Sequence, residues 1–153
     1  MESAWHTEGV TEEDDMRVRH LDHLNLTVSS LAATRDFYSR VFGFEEVERG
    51  EDADGPWGIL RSGDAMLCVY ERPALERHDR ATLTRMGLHR ISHFALRIED
   101  EAAWRRTLAR EGLELLYGGE VRWPHSTAWY VRDPTGYEIE VALWKGDRIE
   151  FGR

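Results

Sequence analysis

The sequence predicts an α+β protein built from two βαβββ modules, whose mixed sheets form one curved, cup-like surface. Three observations lead to this prediction. The alternating pattern His-apolar-x-Leu-x-aliphatic begins at His23 and again at His93, 70 residues later. Each copy precedes a stretch with helical spacing and then short alternating segments separated by turn-prone residues. A period that is this long and occurs only twice indicates a duplicated module rather than a solenoid.

The first module is predicted over residues 19–72. Its first strand, over residues 21–28, carries apolar side chains at alternate positions. A serine pair can cap the helix that follows over residues 31–42, and Gly43 supplies the end of that helix. The other strands of this module, separated by turn-prone stretches, are predicted over residues 44–49, 57–61 and 65–71.

A connector over residues 73–90 separates the modules, because this segment begins with Pro73, is rich in Arg and His and lacks sheet alternation. It has room for a short helix. The second module is predicted over residues 91–145, with a helix over residues 99–110 that Gly112 ends. Its strands are predicted over residues 91–98, 113–117, 127–132 and 137–144.

The ends of the chain and its composition restrict the class of protein. Residues 1–18 are acidic and poor in apolar side chains, so we expect a disordered arm, and residues 146–153 form a C-terminal tail. No apolar run approaches the ~20 residues of a membrane span. The acidic N-terminus differs from a signal peptide, so we expect a cytoplasmic protein.

The net charge of the chain is −9, which disfavours nucleic acid and anionic membrane surfaces as partners. Small molecules and other proteins remain as the expected classes of partner. The exposed edges of two small sheets favour a homodimer, and the cup forms either within one chain or between two chains.

Three side chains are predicted to face the concave side of the cup. Alternation directs the apolar residues of each first strand to the helices and leaves His23 and His93 on the opposite face. In the last strand, alternation places Glu140 on that same face. Two imidazoles and a carboxylate suit Fe²⁺, Mn²⁺, Zn²⁺, Ni²⁺ or Co²⁺ and leave positions open for a chelating substrate. The alternative is that each histidine is a polar residue on a solvated strand face.

Other polar and aromatic residues are predicted at the same surface, as contacts for a substrate. Asn25 and Arg97 each follow one of the two histidines by an even number of residues. Arg97 is either a partner for an anionic substrate or an exposed strand-end arginine. Trp57 and Trp123 border the cup, where they line an aromatic pocket or pack in the core.

Two longer motifs resemble a known family. The first helix ends in DFYSRVFGF at residues 36–44, and the chain closes with YVRDPTGYEIE at residues 130–140. With the strand-start histidines, these motifs resemble the vicinal oxygen chelate superfamily over roughly residues 19–145. That superfamily includes glyoxalase I, extradiol dioxygenases, fosfomycin-modifying thiol transferases, methylmalonyl-CoA epimerases and bleomycin-binding proteins. The resemblance implies metal ligands at His23, His93 and Glu140.

A fourth carboxylate ligand, which glyoxalase I-like enzymes carry, is not found in the first module. Aligning the glycines of the two corresponding turns places Leu67 where the second module has Glu140. Met66 and Cys68 are the neighbouring alternatives. Glu71 lies farther along the same strand, and a bulge would be needed to bring it inward.

The resemblance also implies catalytic candidates. Tyr130 aligns with a tyrosine near the metal-bound substrate in the dioxygenase and fosfomycin groups, where its hydroxyl can donate to an oxyanion. The alternative is a ring packed in the cup. His125 is a candidate acid/base of an extradiol enzyme, although it stands closer to Tyr130 than that motif allows. A fosfomycin enzyme would carry a lysine in residues 120–128 and a threonine in place of Asn25, and this chain has neither.

The leading hypothesis is therefore a metal-dependent enzyme that binds vicinal oxygens of a small substrate, with ring cleavage, isomerisation and nucleophilic addition left open. The alternative is a metal-free protein that sequesters a small aromatic or cationic compound, as bleomycin-binding relatives do. The three ligand residues favour the enzyme, because pure binders in this superfamily typically lose them.

Overall fold

A computed structural model describes residues 18–146 of the chain. It contains both βαβββ modules and confirms the predicted α+β class. The predicted arm and tail fall outside the described residues, apart from residues 18 and 146. In chain order the elements are β1 (Leu24–Val28), α1 (Leu31–Phe42), β2 (Glu45–Asp52), β3 (Gly55–Ser62), β4 (Ala65–Glu71), α2 (Arg80–Arg85), β5 (Phe94–Ile98), α3 (Glu101–Glu111), β6 (Val121–Arg122), β7 (Ser126–Arg132) and β8 (Glu138–Trp144).

Each module forms one open, four-stranded mixed sheet. The strand order is β1-β4-β3-β2 in the first sheet and β5-β8-β7-β6 in the second. The first strand of each module pairs in parallel with the last, and the other neighbours are antiparallel. This common order is the one that a duplicated module predicts.

Alternating burial fixes which face of each sheet meets the helices. In β1, Leu26 and Val28 are buried, whereas Asn25 and Thr27 are exposed. In β8, Ile139 and Val141 are fully buried on either side of the partly exposed Glu140. Burial of the apolar positions therefore leaves the polar positions of both strands on the opposite face, as the alternation predicts.

Side-chain caps and glycine define the limits of the helices. The Ser30 hydroxyl accepts a hydrogen bond from Ala33 N at 3.2 Å at the start of α1. Gly43 ends that helix with a left-handed φ of 66°. Asp100 caps α3, which therefore begins two residues after the predicted start. Within residues 18–146, the helices lack the length and apolar composition needed to cross a membrane.

The predicted strand over residues 113–117 is wrong, because this segment has no strand structure. Tyr117, Gly118 and Gly119 have φ angles of 56°, 82° and 110°. Three successive positive φ angles turn the backbone out of the extended conformation. The edge strand of the second sheet forms instead at Val121–Arg122, just after this turn.

One hydrophobic core extends through both modules and includes the buried faces of the two long helices. The rings of Phe42 in α1 and Trp104 in α3 stack with centroids 5.9 Å apart. Tyr38 lies fully buried in the same core and donates a hydrogen bond to Asp133 Oδ2 at 3.2 Å. Because Asp133 belongs to the β7–β8 turn, this bond joins the first module to the second.

Asp133 also organises the turn in which it lies. Its Oδ1 accepts hydrogen bonds from the backbone N–H groups of Thr135, Gly136 and Tyr137 at 2.8 to 2.9 Å. Burial raises the pKa of Asp133, and these three donors act in the opposite direction. The carboxyl group therefore fixes the turn that leads into β8 and sets the position of the residues that follow.

Candidate metal centre

His93 and Glu140 form a close pair on the face of the second sheet that is turned away from the helices. His93 lies one residue before β5, and Glu140 is in β8, where it pairs with Ala95. The distance from His93 Nε2 to Glu140 Oε2 is 3.0 Å, and the two side chains are 33% and 17% exposed. Two cis ligands at ~2.1 Å from one metal ion lie at this separation, as do two hydrogen-bonded atoms.

Tyr130 completes this cluster. It pairs with Glu140 across β7 and β8, and its ring meets the His93 ring edge-on, with centroids 5.5 Å apart. Burial, and then the negative charge and hydrogen bonding of Glu140, raise the pKa of Tyr130 to about 12. The phenol therefore keeps its proton at neutral pH and serves as a hydrogen-bond donor rather than as a base.

The Tyr130 phenol should titrate at a pH of about 12 in protein stripped of divalent ions. Replacing Glu140 by Gln should lower this pKa, because the negative charge is removed, but should leave it above the ordinary value of about 10, because burial persists. The measurement is the tyrosinate absorbance, taken as the difference between each protein and its Tyr130→Phe counterpart. An equal pKa with and without the Glu140 charge would contradict this account.

A second group of polar residues lies beside Tyr130 and was not found by sequence reasoning. The Tyr117 ring packs edge-on against Tyr130 with centroids 5.2 Å apart, and its hydroxyl donates to Glu138. Arg80 of α2 bonds both the Tyr117 hydroxyl at 2.9 Å and Glu138 Oε2 at 3.4 Å. Glu138 could have been proposed from its even spacing to Glu140, whereas nothing in the sequence indicates Arg80.

His23 does not lie in this cluster. It stands one residue before β1, its side chain is 43% exposed, and its Nδ1 contacts Asp22 Oδ2 at 2.7 Å. Among residues 18–146, no three His, Cys, Asp or Glu side chains are grouped so that they could hold a metal ion. The structure thus brings His93, Glu140 and Tyr130 together within one chain, and the role predicted for His23 stays a prediction.

Strand register identifies the residue of the first module that corresponds to Glu140. Asn25 pairs with Cys68 across β1 and β4. Ala95, the corresponding residue of the second module, pairs with Glu140 across β5 and β8. Cys68, one of the two neighbouring alternatives of the prediction, therefore takes the equivalent place, one residue after Leu67. Leu67 is 3% exposed and belongs to the core.

Glu71 is not turned toward the cup. It shares the buried face of β4 with Leu67 and Val69, and its Oε2 accepts a hydrogen bond from Leu31 N at 2.6 Å. A carboxylate at this place stabilises the first turn of α1. The bulge that would have brought Glu71 inward does not form, since β1 and β4 pair without a register shift.

Two of the predicted substrate contacts have partners of their own. Arg97 donates to the Gly146 carbonyl at 3.1 Å, and its guanidinium lies over the Trp144 ring. The Trp57 ring stacks with Tyr70 and covers Gly50 so closely that a Cβ there would lie 2.5 Å from the indole. Contacts within the protein therefore account for the positions of both side chains without a substrate.

The remaining predicted residues lie in two other places. His125 and Trp123 are exposed in the segment between β6 and β7, where the His125 carbonyl accepts the N–H of Lys145 at 3.0 Å. Asn25 lines a cleft that is bounded by α2 and by Glu138. Their predicted catalytic and binding roles stay predictions.

Residues 20–141 match the model of the Glyoxalase/Bleomycin resistance protein/Dioxygenase superfamily. The chain belongs to this superfamily. The match runs from before β1 to the middle of β8, and it includes the cluster of His93, Glu140 and Tyr130.

One relative of the chain has a named activity. The chain is 26% identical over 138 residues to Catechol-2,3-dioxygenase of Bacillus subtilis (strain 168), a match that covers 84% of the chain and 45% of that protein. The chain thus spans about half the length of this relative.

Solved structures share the fold. A glyoxylase/bleomycin resistance protein/dioxygenase domain from Frankia sp. EAN1pec has a TM-score of 0.71 at 15% identity, covering 86% of this chain and 96% of that one. Lactoylglutathione lyase from Agrobacterium tumefaciens has a TM-score of 0.61 at 24% identity, covering 84% and 96%. TnmS3, an antibiotic binding protein from Streptomyces sp. CB03234, has a TM-score of 0.61 at 19% identity, covering 85% and 99%. At these identities the likeness concerns the fold.

Proposed function

We propose that this protein is a divalent-metal-dependent enzyme that acts on a small substrate with two neighbouring oxygen atoms, and that His23, His93 and Glu140 hold the metal. The observation that carries the proposal is the pair of His93 and Glu140, whose Nε2 and Oε2 atoms lie 3.0 Å apart. Beside this pair lies Tyr130, whose phenol stays protonated at neutral pH. An imidazole and a carboxylate are ligands that divalent transition metals take in proteins. The superfamily match and the names of its dioxygenase and lyase members agree with this chemistry.

We infer that His23 comes from a second copy of the chain. The end of β1 lies against the second module of its own chain, since the Tyr137 hydroxyl donates to the Thr27 carbonyl at 2.9 Å. Within residues 18–146 of one chain, His23 does not join His93 and Glu140 in a group that could hold a metal ion. Its exposed ring is available to a partner, and a twofold dimer would form two identical sites from two chains.

The residues around the pair have separate roles in this proposal. A bound metal supplies Lewis acidity toward the substrate oxygens. Tyr130 donates a hydrogen bond to the substrate oxygen on which negative charge develops. Its pKa of about 12 keeps the phenol protonated at neutral pH, so that this donor is present. Glu138 and Arg80 hold the Tyr117 hydroxyl, and so keep the Tyr117 ring against Tyr130.

Metal analysis tests the proposal. Protein purified without chelators, or reconstituted with Fe²⁺, Mn²⁺ or Zn²⁺, should bind metal stoichiometrically, and His93→Ala should weaken binding by at least ~100-fold because a ligand is lost. His89→Ala is the control, since His89 is exposed in the connector. Absence of metal after reconstitution with all three ions, or a His93→Ala variant that binds as the parent does, would overturn it.

A further inference from the structure

A cleft of 560 Å³ lies between α2, β1 and the β7–β8 turn, and of its lining the function proposed above uses only Arg80 and Glu138. Its volume is in the range of ligand pockets. Four arginines line it, namely Arg77, Arg80, Arg90 and Arg132. Three carboxylates, Glu76, Asp79 and Glu138, lie in the same lining, so the arginines outnumber the carboxylates in a chain whose net charge is −9.

The carboxylates of the same cleft are already engaged by other groups. Glu76 pairs with His78 at 3.1 Å, and Asp79 accepts the backbone N–H of Thr82 at 2.7 Å. Glu138 accepts hydrogen bonds from the Tyr117 hydroxyl and from Arg80. Of the four arginines, Arg80 pairs with a carboxylate, Glu138, whereas the other three form no ion pair within residues 18–146.

Two of the arginines have donors without a partner. Arg90 donates through Nη2 to the Thr84 hydroxyl at 2.9 Å, while its Nε is buried and has no partner among the described residues. Arg132 is exposed, forms no side-chain hydrogen bond or ion pair within residues 18–146, and affects Asp79 only through its charge. A buried N–H without an acceptor is unfavourable, and an anionic oxygen would satisfy it.

The rest of the lining includes apolar side chains. Leu75 and Ile91 lie in the wall of the cleft and are 52% and 68% exposed, and Leu83 of α2 lies with them. Large exposed aliphatic side chains beside unpaired guanidinium groups match a ligand that has both an apolar body and an anionic group. Such a ligand would cover the aliphatic surface and bind the arginines at the same time.

We propose that this cleft binds a small organic acid, with its carboxylate on Arg90 and Arg132 and its apolar body on Leu75, Leu83 and Ile91. The guanidinium fork suits the two oxygens of a carboxylate. The proposal rests on the cleft alone and holds whether or not the protein binds a metal.

Calorimetric titration with benzoate tests the proposal. Benzoate should bind the wild-type protein, whereas benzamide, its neutral isostere, should bind at least ~10-fold more weakly because it lacks the charge that strengthens these hydrogen bonds. Inorganic phosphate should also bind more weakly than benzoate, since it has no apolar body. Failure of benzoate to bind, or equal binding of benzoate and benzamide, would overturn the proposal, as would tighter binding of phosphate.

Variants locate the site. Arg90→Gln and Arg132→Gln should each weaken benzoate binding by ~10-fold, because each removes a charged donor. Arg85→Gln should leave binding unchanged, since Arg85 is in α2 but outside the lining. In the wild-type protein the Arg90 Nε–H resonance should shift on addition of benzoate. A full-affinity Arg132→Gln variant with native circular dichroism would rule out the assigned site.

Discussion

Mixing His23→Ala and Glu140→Gln chains should restore about a quarter of the metal sites that each variant alone has lost, if a twofold dimer forms each site from two chains. Each homodimer lacks one ligand at both sites, and its affinity should fall by at least ~100-fold. In a dimer of one chain of each kind, the intact His23 and the intact Glu140 meet at one site. About half of the dimers are of this mixed kind after random exchange.

The matched control is a mixture of His93→Ala and Glu140→Gln chains. Both changes are in the second module and within 3.0 Å of each other, so no arrangement of two such chains restores a complete pair. Metal content after dialysis, together with native mass spectrometry to confirm subunit exchange, gives the measurement. If exchange occurs and the His23→Ala and Glu140→Gln mixture still holds no metal, the two residues do not form a site across chains.

Replacing Asp133 by Ala should lower the free energy of unfolding by about 3 kcal/mol, because buried donors lose their acceptor. The side chain is 5% exposed and accepts hydrogen bonds from the N–H groups of Thr135, Gly136 and Tyr137 and from the Tyr38 hydroxyl. The substitution leaves the β7–β8 turn without its organising group and also removes a bond between the two modules.

The Asp133→Asn variant should lose about 1 kcal/mol or less. Its amide oxygen still accepts the backbone hydrogen bonds, and a neutral group avoids the desolvation that raises the pKa of Asp133. Asp64→Ala, an exposed change in the β3–β4 turn, should stay within ~0.5 kcal/mol of the parent. Urea unfolding gives the comparison. The structural account fails if Asp133→Ala is as stable as Asp64→Ala.

Alternation and caps made most of the fold predictable from the sequence. Gly43 and Ser30 act at short range, so the limits of α1 at residues 31–42 were predicted correctly. The conformation of residues 113–117 was not predicted correctly. The apolar residues of this segment suit a strand, but the backbone turns at Tyr117. A positive φ at a tyrosine is set by tertiary contacts, here with Tyr130 and Glu138, and local sequence does not report it.

The site was predictable only in part. The alternation of β8 indicated the face of Glu140, and the repeated pattern singled out His93. Cys68 could be assigned as the counterpart of Glu140 only from strand register. The segment from the turn glycine to this position is one residue longer in the first module than in the second. Arg80 reaches the cluster from the connector, which has no counterpart in the repeat.

The shared core couples the stability of the two modules. The partly buried Phe42 ring stacks on the buried Trp104 ring of the other module, so either module alone would expose an aromatic surface to water. We therefore expect that loss of one module would destabilise the other and that the two modules unfold together. The two modules can therefore differ at positions outside the shared core, as they do at Cys68 and Glu140. The residues through which the modules pack against each other do not have this freedom.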